Sequence, residues 1–266
     1  MSERERYALI GAPLDAGTQN RCGERFSPAM IRQIAGLTGR KPAGITDLGD
    51  IAVKNSDPRN SLEQIASALS DVYEKYETAI VIGGSQIITL AELRALKEKY
   101  GQVSLVHFSS DRSISENGEV LPEAAEEELI DFSHSIQLGI RGGYAGRTER
   151  DLYKDRGLTV LEAYDMHRQS PDEIIQTIRK KVSDTTAIIS IDLGFLDPVC
   201  APATEDPRMG GFTTAELETV LHEIIPALHV ASLDIVNLSY RYDAGDITTL
   251  AAEHILSEAA VSLGTD

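Results

Sequence analysis

The chain of 266 residues contains only two cysteines, Cys22 and Cys200, and no long apolar run. Two thiols cannot complete a zinc tetrad or a disulfide framework, and we expect both to stay reduced. The apolar runs fall short of the roughly 20 residues that a transmembrane helix needs. The first residues lead directly into an apolar run and lack the length and the cleavage site of a signal peptide. These absences predict a cytoplasmic protein that does not span a membrane.

Positive charge is also scarce, because 42 aspartates and glutamates outnumber 25 lysines and arginines and give a net charge of -17. Nucleic-acid phosphates require a basic surface, so we expect no nucleic acid among the partners. The same negative charge disfavours binding to an anionic membrane surface, and it is typical of acidic residues that maintain solubility. With 42% hydrophobic and 25% charged residues, the composition is that of a globular protein.

Apolar, β-rich runs alternate along the chain with helical patterns, which predicts an α/β fold with a central parallel sheet covered on both faces. The predicted strands lie at residues 7–11, 79–82, 103–108, 135–140, 159–162, 187–191 and 229–236. The predicted helices lie at residues 28–34, 61–76, 89–99, 171–181, 213–225 and 247–262. No linker, repeat or low-complexity tract interrupts the alternation, so we predict a single domain over residues 1–266.

Three of the predicted strands end in a polar cluster of residues. The clusters are Gly83–Gln86, His107–Ser113 and Ser190–Pro198. In a parallel α/β sheet, ligands bind beyond the carboxyl ends of the strands, so we expect the three clusters to form one pocket. Hydroxyl and amide groups predominate in them, whereas the imidazole and carboxylate groups that hold divalent metals are few.

Four further segments carry recognisable motifs, namely Ile10-Gly11-Ala12-Pro13-Leu14-Asp15, Arg25-Phe26-Ser27-Pro28, Gly139-Ile140-Arg141-Gly142 and Asp234-Ile235-Val236. Together with the three clusters, they resemble the ureohydrolases. This family contains the arginases, agmatinases, guanidinobutyrases and formimidoylglutamases, and the resemblance is closest to the agmatinases. The resemblance implies an arginase-like, three-layer α/β/α domain and an enzyme class that hydrolyses C–N bonds of linear amidines. It also implies assembly into trimers or hexamers.

In this family, two manganese ions share a bridging hydroxide that attacks a guanidinium carbon, and six side chains hold the metals. The family motif Gly-Gly-Asp-His reads Gly-Gly-Ser-Gln here, so Gln86 stands in place of a histidine ligand. The ligand positions of the family motifs Asp-x-His-x-Asp and Asp-x-Asp are occupied, in order, by Ser109, Asp111, Ser113, Asp192 and Gly194. Of the six ligands that the resemblance implies, only Asp192 is retained in type.

Three more positions belong to the predicted pocket. Asn237 stands where the family has a glutamate that meets the substrate guanidinium, and Asn117 aligns with a histidine of a mobile loop. The guanidinium of Arg112 either neutralises Asp111 and Asp192 in place of the metal ions or pairs with an acid on the surface. Asp111 and Asp192 either repel each other, so that one pKa rises and the group serves as acid or base, or they are structural hydrogen-bonding groups.

These substitutions predict that manganese does not bind and that no other cofactor is needed, since neutral groups cannot offset the dehydration of two dications. Hydrolysis by the family mechanism is then lost, as in a pseudoenzyme. One hypothesis is a regulatory subunit that binds a small-molecule ligand, or that assembles as a homo-oligomer or with an active homologue. The alternative is a metal-independent enzyme for a guanidino, amidino or amino metabolite, with Asp192 and Asp111 as acid and base. The absence of a recognisable nucleophile–base pair favours the first, and Cys200 has no adjacent histidine to activate it.

Overall fold

The computed structural model describes residues 6–16, 18, 20–39, 44–111, 120–141 and 153–264. Its eight strands are, in chain order, β1 (Tyr7–Ala12), β2 (Ile45–Asp50), β3 (Thr78–Gly83), β4 (Ser104–Phe108), β5 (Ile136–Ile140), β6 (Thr159–Glu162), β7 (Thr186–Asp192) and β8 (His229–Val236). They form one sheet in the order β2-β1-β3-β8-β7-β4-β5-β6. Every pairing between neighbours is parallel, which confirms the predicted sheet.

The flanking helices are, in chain order, α1 (Ser27–Thr38), α2 (Pro58–Lys75), α3 (Ile88–Tyr100), α4 (Val120–Glu126), α5 (Ala163–Met166), α6 (Pro171–Val182), α7 (Thr214–Ile224) and α8 (Ile247–Leu263). Side-chain capping determines where two of these helices begin. Ser170 and Thr213 each form a capping box with the glutamate three residues later, at the starts of α6 and α7. None of the helices in the described part of the chain has both the length and the apolar character needed to cross a bilayer.

Two apolar cores lie on opposite faces of the sheet, because successive residues of a strand point in opposite directions. On β3, Ile80 and Ile82 pack into one core together with α1, α5, α6, α7 and α8. Ala79 and Val81 pack into the other core together with α2, α3 and α4. The architecture is therefore the three-layer α/β/α arrangement that the sequence predicts.

The strand β2 is the one strand of the sheet that the apolar pattern does not predict. Its sequence, Ile-Thr-Asp-Leu-Gly-Asp, has no apolar run, and none of its residues is fully buried. The strand lies at the edge of the sheet and has only β1 as a neighbour. An edge strand is less enclosed than a central one, so polar residues are tolerated there.

Candidate functional site

The described residues of the predicted pocket lie at or beyond the carboxyl ends of four adjacent strands, in the order β3, β8, β7 and β4. We call this group of residues the strand-end pocket. After β3 the chain turns at Gly84, whose backbone N–H donates to the carbonyl oxygen of Ala12 at 2.9 Å. A Cβ atom at Gly84 would lie 1.8 Å from the carbonyl oxygen of Leu14, so only glycine fits here. The turn places the half-buried Gln86 directly beyond the end of β3.

Asp192 ends β7, is almost fully buried, and accepts three hydrogen bonds from neutral groups. The hydroxyl of Ser109 donates to Oδ2 at 2.9 Å. The backbone N–H of Gly194 and the side-chain amide of Asn237 donate to Oδ1 at 2.7 and 2.6 Å. Burial raises the pKa of the Asp192 carboxyl to about 6, although these hydrogen bonds favour the charged form and oppose part of the rise. Both oxygens are therefore held by donors of the protein itself.

Asn237 follows β8 and is fixed by the loops around it. Its φ of 70° lies in the left-handed region, which asparagine adopts more readily than most residues. Its backbone N–H donates to the carbonyl of Gly84 at 3.0 Å, and its side-chain oxygen accepts from the backbone N–H of Glu205 at 2.8 Å. Because the side-chain oxygen faces Glu205, the amide nitrogen faces Asp192 and donates to it.

Asp111 points toward solvent and is paired with an arginine from a distant part of the chain. Nη2 of Arg208 donates to Oδ2 of Asp111 at 2.9 Å. Arg208 also pairs with Asp206 and donates to the carbonyl of Arg141 at 3.1 Å. The backbone N–H of Asp111 donates to Oγ of Ser109 at 3.1 Å, and this is the hydroxyl that donates to Asp192. Asp111 and Asp192 are thus connected through Ser109.

His107 lies in β4 and is enclosed by two glutamine side chains. Its Nε2 lies 2.6 Å from Nε2 of Gln86, and its Nδ1 lies 3.2 Å from Nε2 of Gln137. Burial lowers the pKa of the His107 imidazole to about 4, so the ring is neutral at neutral pH. A neutral ring donates with one nitrogen and accepts with the other. The ring therefore accepts a hydrogen bond from one of the two amide nitrogens, and its own N–H can donate to the other amide only after that amide turns its oxygen toward the ring.

Glu24 adds a buried carboxyl group to the same region. Only 1% of the residue is exposed, and its side chain accepts a hydrogen bond from the hydroxyl of Thr18. Burial raises the pKa of Glu24 well above its usual value, and the negative charges of Glu205, Asp15 and Asp192 raise it further. The N-terminal loop therefore brings acidic groups close to Asp192.

Six of the nine predicted site residues lie in the described part of the chain: Gln86, Ser109, Asp111, Asp192, Gly194 and Asn237. The structure links Ser109, Gly194 and Asn237 directly to Asp192, whereas Gln86 contacts His107. The remaining three, Arg112, Ser113 and Asn117, lie outside the described residues.

Sequence reasoning missed Arg208, Glu24 and Gln137 as neighbours of the pocket. Glu24 directly precedes the motif Arg25-Phe26-Ser27-Pro28, and Arg208 lies ten residues after the cluster Ser190–Pro198. Gln137 lies inside a strand, and only its pairing with β4 brings it to His107.

Comparison with known proteins places the chain in a family. The sequence signature described as the arginase family matches residues 5–262. The agmatinase of Cronobacter sakazakii is 31% identical over an alignment that covers 95% of this chain and 85% of the relative. Putative agmatinase 1 of Schizosaccharomyces pombe is 32% identical, with 94% of this chain and 75% of the relative covered.

Solved structures give the same fold. Proclavaminate amidino hydrolase from Streptomyces clavuligerus superposes with a TM-score of 0.88 at 28% identity, covering 97% of this chain and 91% of the other. Arginase from Bacillus subtilis has a TM-score of 0.85 at 23% identity, with coverage of 98% and 99%. At that lower identity the second likeness concerns the fold alone.

Proposed function

The chain belongs to the arginase family. We propose that it is a non-hydrolytic member whose strand-end pocket binds a small cationic metabolite. The relatives named above are agmatinases and an amidino hydrolase. For this chain we propose a role in ligand binding and regulation, without manganese and without cleavage of a guanidinium group. This role agrees best with the donor groups around Asp192.

The bonding of Asp192 carries the proposal. Both of its carboxylate oxygens accept hydrogen bonds from neutral donors: the hydroxyl of Ser109, the backbone N–H of Gly194 and the amide of Asn237. A divalent ion on this carboxylate would compete with those donors, because their three hydrogen bonds occupy most of its roughly four acceptor positions. A donor that lost its acceptor would be left unpaired in a buried place. Removing a partner from a buried polar group costs roughly 1–3 kcal/mol for each group.

The neighbouring positions do not supply the charge that two dications require. Gln86 and Ser109 are neutral, and the carboxylate of Asp111 is paired with Arg208. Manganese, like other hard cations, is held by negatively charged oxygen and imidazole ligands that replace its water shell. The donor set of the described residues therefore does not fit two manganese ions. Without them, water is not activated to hydroxide at neutral pH.

The excess of acidic groups favours a cationic ligand. Glu24 is buried beside the negative charges of Asp15, Asp192 and Glu205, of which Asp15 is paired with Arg25 at 2.7 Å. An amine or a guanidinium group bound there would offset this repulsion, since a buried acid is stabilised by a nearby opposite charge. We further propose that the chain forms a homo-oligomer, or associates with an active homologue, through surfaces shared with its family.

A metal-independent enzyme is the second candidate, and the raised pKa of Asp192, about 6, is the observation that favours it. A carboxyl that titrates near neutrality is suited to proton transfer. Such an enzyme would turn over a guanidino, amidino or amino metabolite without added metal, with Asp111 as the second acid–base group. The variant Asp192→Asn would abolish that turnover.

The test combines metal analysis, catalysis and binding on the purified full chain. After treatment with EDTA and addition of manganese, we expect no stoichiometric manganese and no urea from agmatine, arginine or guanidinobutyrate. Agmatine should raise the melting temperature in a saturable manner. The effect should weaken by about tenfold in affinity in Glu24→Gln, which removes one charge-assisted contact of roughly 1.5 kcal/mol.

The matched control for this experiment is Glu223→Gln, because Glu223 is an exposed acid paired with Arg179 outside the pocket. That variant should bind agmatine like the parent chain. Stoichiometric manganese together with urea release would contradict the proposal, and so would an agmatine affinity that is equal in both variants and the parent chain.

A further inference from the structure

A second cluster of polar side chains lies outside the strand-end pocket, between the helices α7 and α8. Glu218 and His222 are four residues apart on α7, and His254 and Glu258 are four residues apart on α8. Residues four apart on a helix lie on the same face, one turn from each other. We call these four residues the helix-pair cluster. The proposed function of the pocket gives it no role.

The two pairs face each other across the helix interface. Nε2 of His222 lies 3.0 Å from Oε2 of Glu258, and Nε2 of His254 lies 3.0 Å from Oε2 of Glu218. Nδ1 of His254 lies 3.9 Å from Oε1 of Glu258. One ligand atom each of Glu218, His222 and Glu258 lie within 4.8 Å of one another. The four side chains therefore form one continuous group.

These distances are close to those of a metal site. In a tetrahedral zinc site with bonds of about 2.1 Å, neighbouring ligand atoms are about 3.4 Å apart. The two His–Glu pairs are 3.0 Å apart, and the ligand atoms of Glu218, His222 and Glu258 are at most 4.8 Å apart, so small side-chain rotations bring these three to that spacing. The four side chains are 24–42% exposed, so they can rotate and an ion can reach them from solvent.

The chemistry of the cluster matches the geometry. Two carboxylates carry two negative charges, which one divalent cation neutralises, and two imidazoles supply the nitrogen ligands that zinc and its neighbours in the first transition row prefer. Calcium and magnesium, which take oxygen ligands, fit less well. The overall charge of -17 also attracts cations to the surface of the chain.

We propose that the helix-pair cluster binds one divalent transition-metal ion of the zinc class. Glu218, His222 and Glu258 supply three ligands, and His254 supplies the fourth by rotating from its contact with Glu218. The bound ion cross-links α7 to α8 and stabilises this part of the outer helix layer, because a ligand that binds only the folded chain favours folding. It does not touch the strand-end pocket.

Zinc titration of the full chain tests the proposal, and the probe is zinc chloride alone. Free thiols also bind zinc, so all measurements use a Cys22→Ser/Cys200→Ser background. Calorimetry should show one ion per chain and a higher melting temperature at saturation. Mutation of a residue that only supports a metal ligand lowers metal affinity by about tenfold or more. His222→Gln/His254→Gln removes two direct ligands, so it should weaken zinc binding by at least that factor.

Two control variants locate the ion. His134→Gln removes an exposed histidine that is paired with Asp131 in a similar way, and it should bind zinc like the background chain. Asp192→Asn alters the strand-end pocket and should also leave zinc binding unchanged.

The proposal is overturned if zinc binding is not saturable, or if the double histidine variant binds zinc as tightly as the background chain. It is also overturned if Asp192→Asn, rather than the histidine variant, removes the ion, because the ion would then lie in the strand-end pocket.

Discussion

The strand-end pocket and the helix-pair cluster differ in the groups that they offer to a cation. In the pocket, Asp192 is enclosed by a hydroxyl, a backbone N–H and an amide, and Asp111 is neutralised by Arg208. Between α7 and α8, two imidazoles meet two carboxylates at 3.0 Å. The comparison shows that a fold determines where a pocket lies, whereas the side chains in it determine what it binds.

Restoring the family ligands in the strand-end pocket should have the largest effect, because it should let the pocket bind manganese. The restored variant carries Gln86→His, Ser109→Asp, Asp111→His, Ser113→Asp and Gly194→Asp. These changes surround Asp192 with charged and imidazole ligands, so manganese content should rise from none to about two ions per chain, as two-metal sites require. Metal analysis of the purified protein measures this.

The same restored variant with Asp192→Asn is the control, and it should bind less manganese.

The Gly194→Asp change also needs room for a side chain, since a Cβ atom at Gly194 would lie 3.0 Å from Oδ1 of Asp192 and 3.1 Å from Oγ of Ser110. These side chains must move by a few tenths of an ångström. If the restored variant folds and still binds no manganese, the five substitutions are not the reason that the pocket rejects the metal.

An effect of intermediate size is expected from Asp192 on the pH dependence of the free energy of unfolding. Burial raises the pKa of Asp192 from 3.8 to about 6, so the folded chain binds this proton more tightly than the unfolded chain. The resulting contribution to stability is full below about pH 4 and is lost as the pH rises through about 6. Its size is about 3 kcal/mol.

Urea unfolding of the parent chain and of Asp192→Asn between pH 4 and pH 7 measures that contribution. The parent chain should lose more stability over this range than the variant. Asp234 is the internal control, because burial also raises its pKa to about 6 and it is present in both proteins. Parallel curves for the two proteins would show that Asp192 is not an isolated buried acid.

The smallest effect is expected at Arg208, whose pair with Asp111 is partly exposed to water. The side chains of Arg208 and Asp111 are 25% and 52% exposed, and such pairs contribute about 1 kcal/mol or less. Arg208→Ala should therefore lower the free energy of unfolding by no more than about 1 kcal/mol. Chemical denaturation at neutral pH checks this, and a loss several times larger would make Arg208 a structural support of the pocket.

The location of the pocket was predictable from the sequence, whereas its internal contacts were not. Apolar runs with polar ends identify β3, β4 and β7, and the rule for parallel sheets brings their carboxyl ends together around Asp192. The partner of Asp111 is 97 residues away in sequence, on a loop without periodicity. Only the three-dimensional course of that loop brings Arg208 to the pocket.

The helix-pair cluster, too, is predictable only in part, because the sequence shows each pair but not the contact between the two pairs. The four-residue spacing of Glu218 and His222, and of His254 and Glu258, is visible in the sequence and indicates two one-sided pairs. His222 and His254 lie on the helices α7 and α8 of the structure. That the two helices bring the pairs within 3.0 Å of each other follows from tertiary packing alone.

Whether the strand-end pocket holds manganese can be seen by anomalous diffraction at the manganese absorption edge, from crystals of the full chain grown with manganese. We expect no manganese peak at Asp192, with the hydrogen bonds from Ser109, Gly194 and Asn237 intact. Two manganese peaks bound to Asp192, with those three donors displaced, would contradict this expectation.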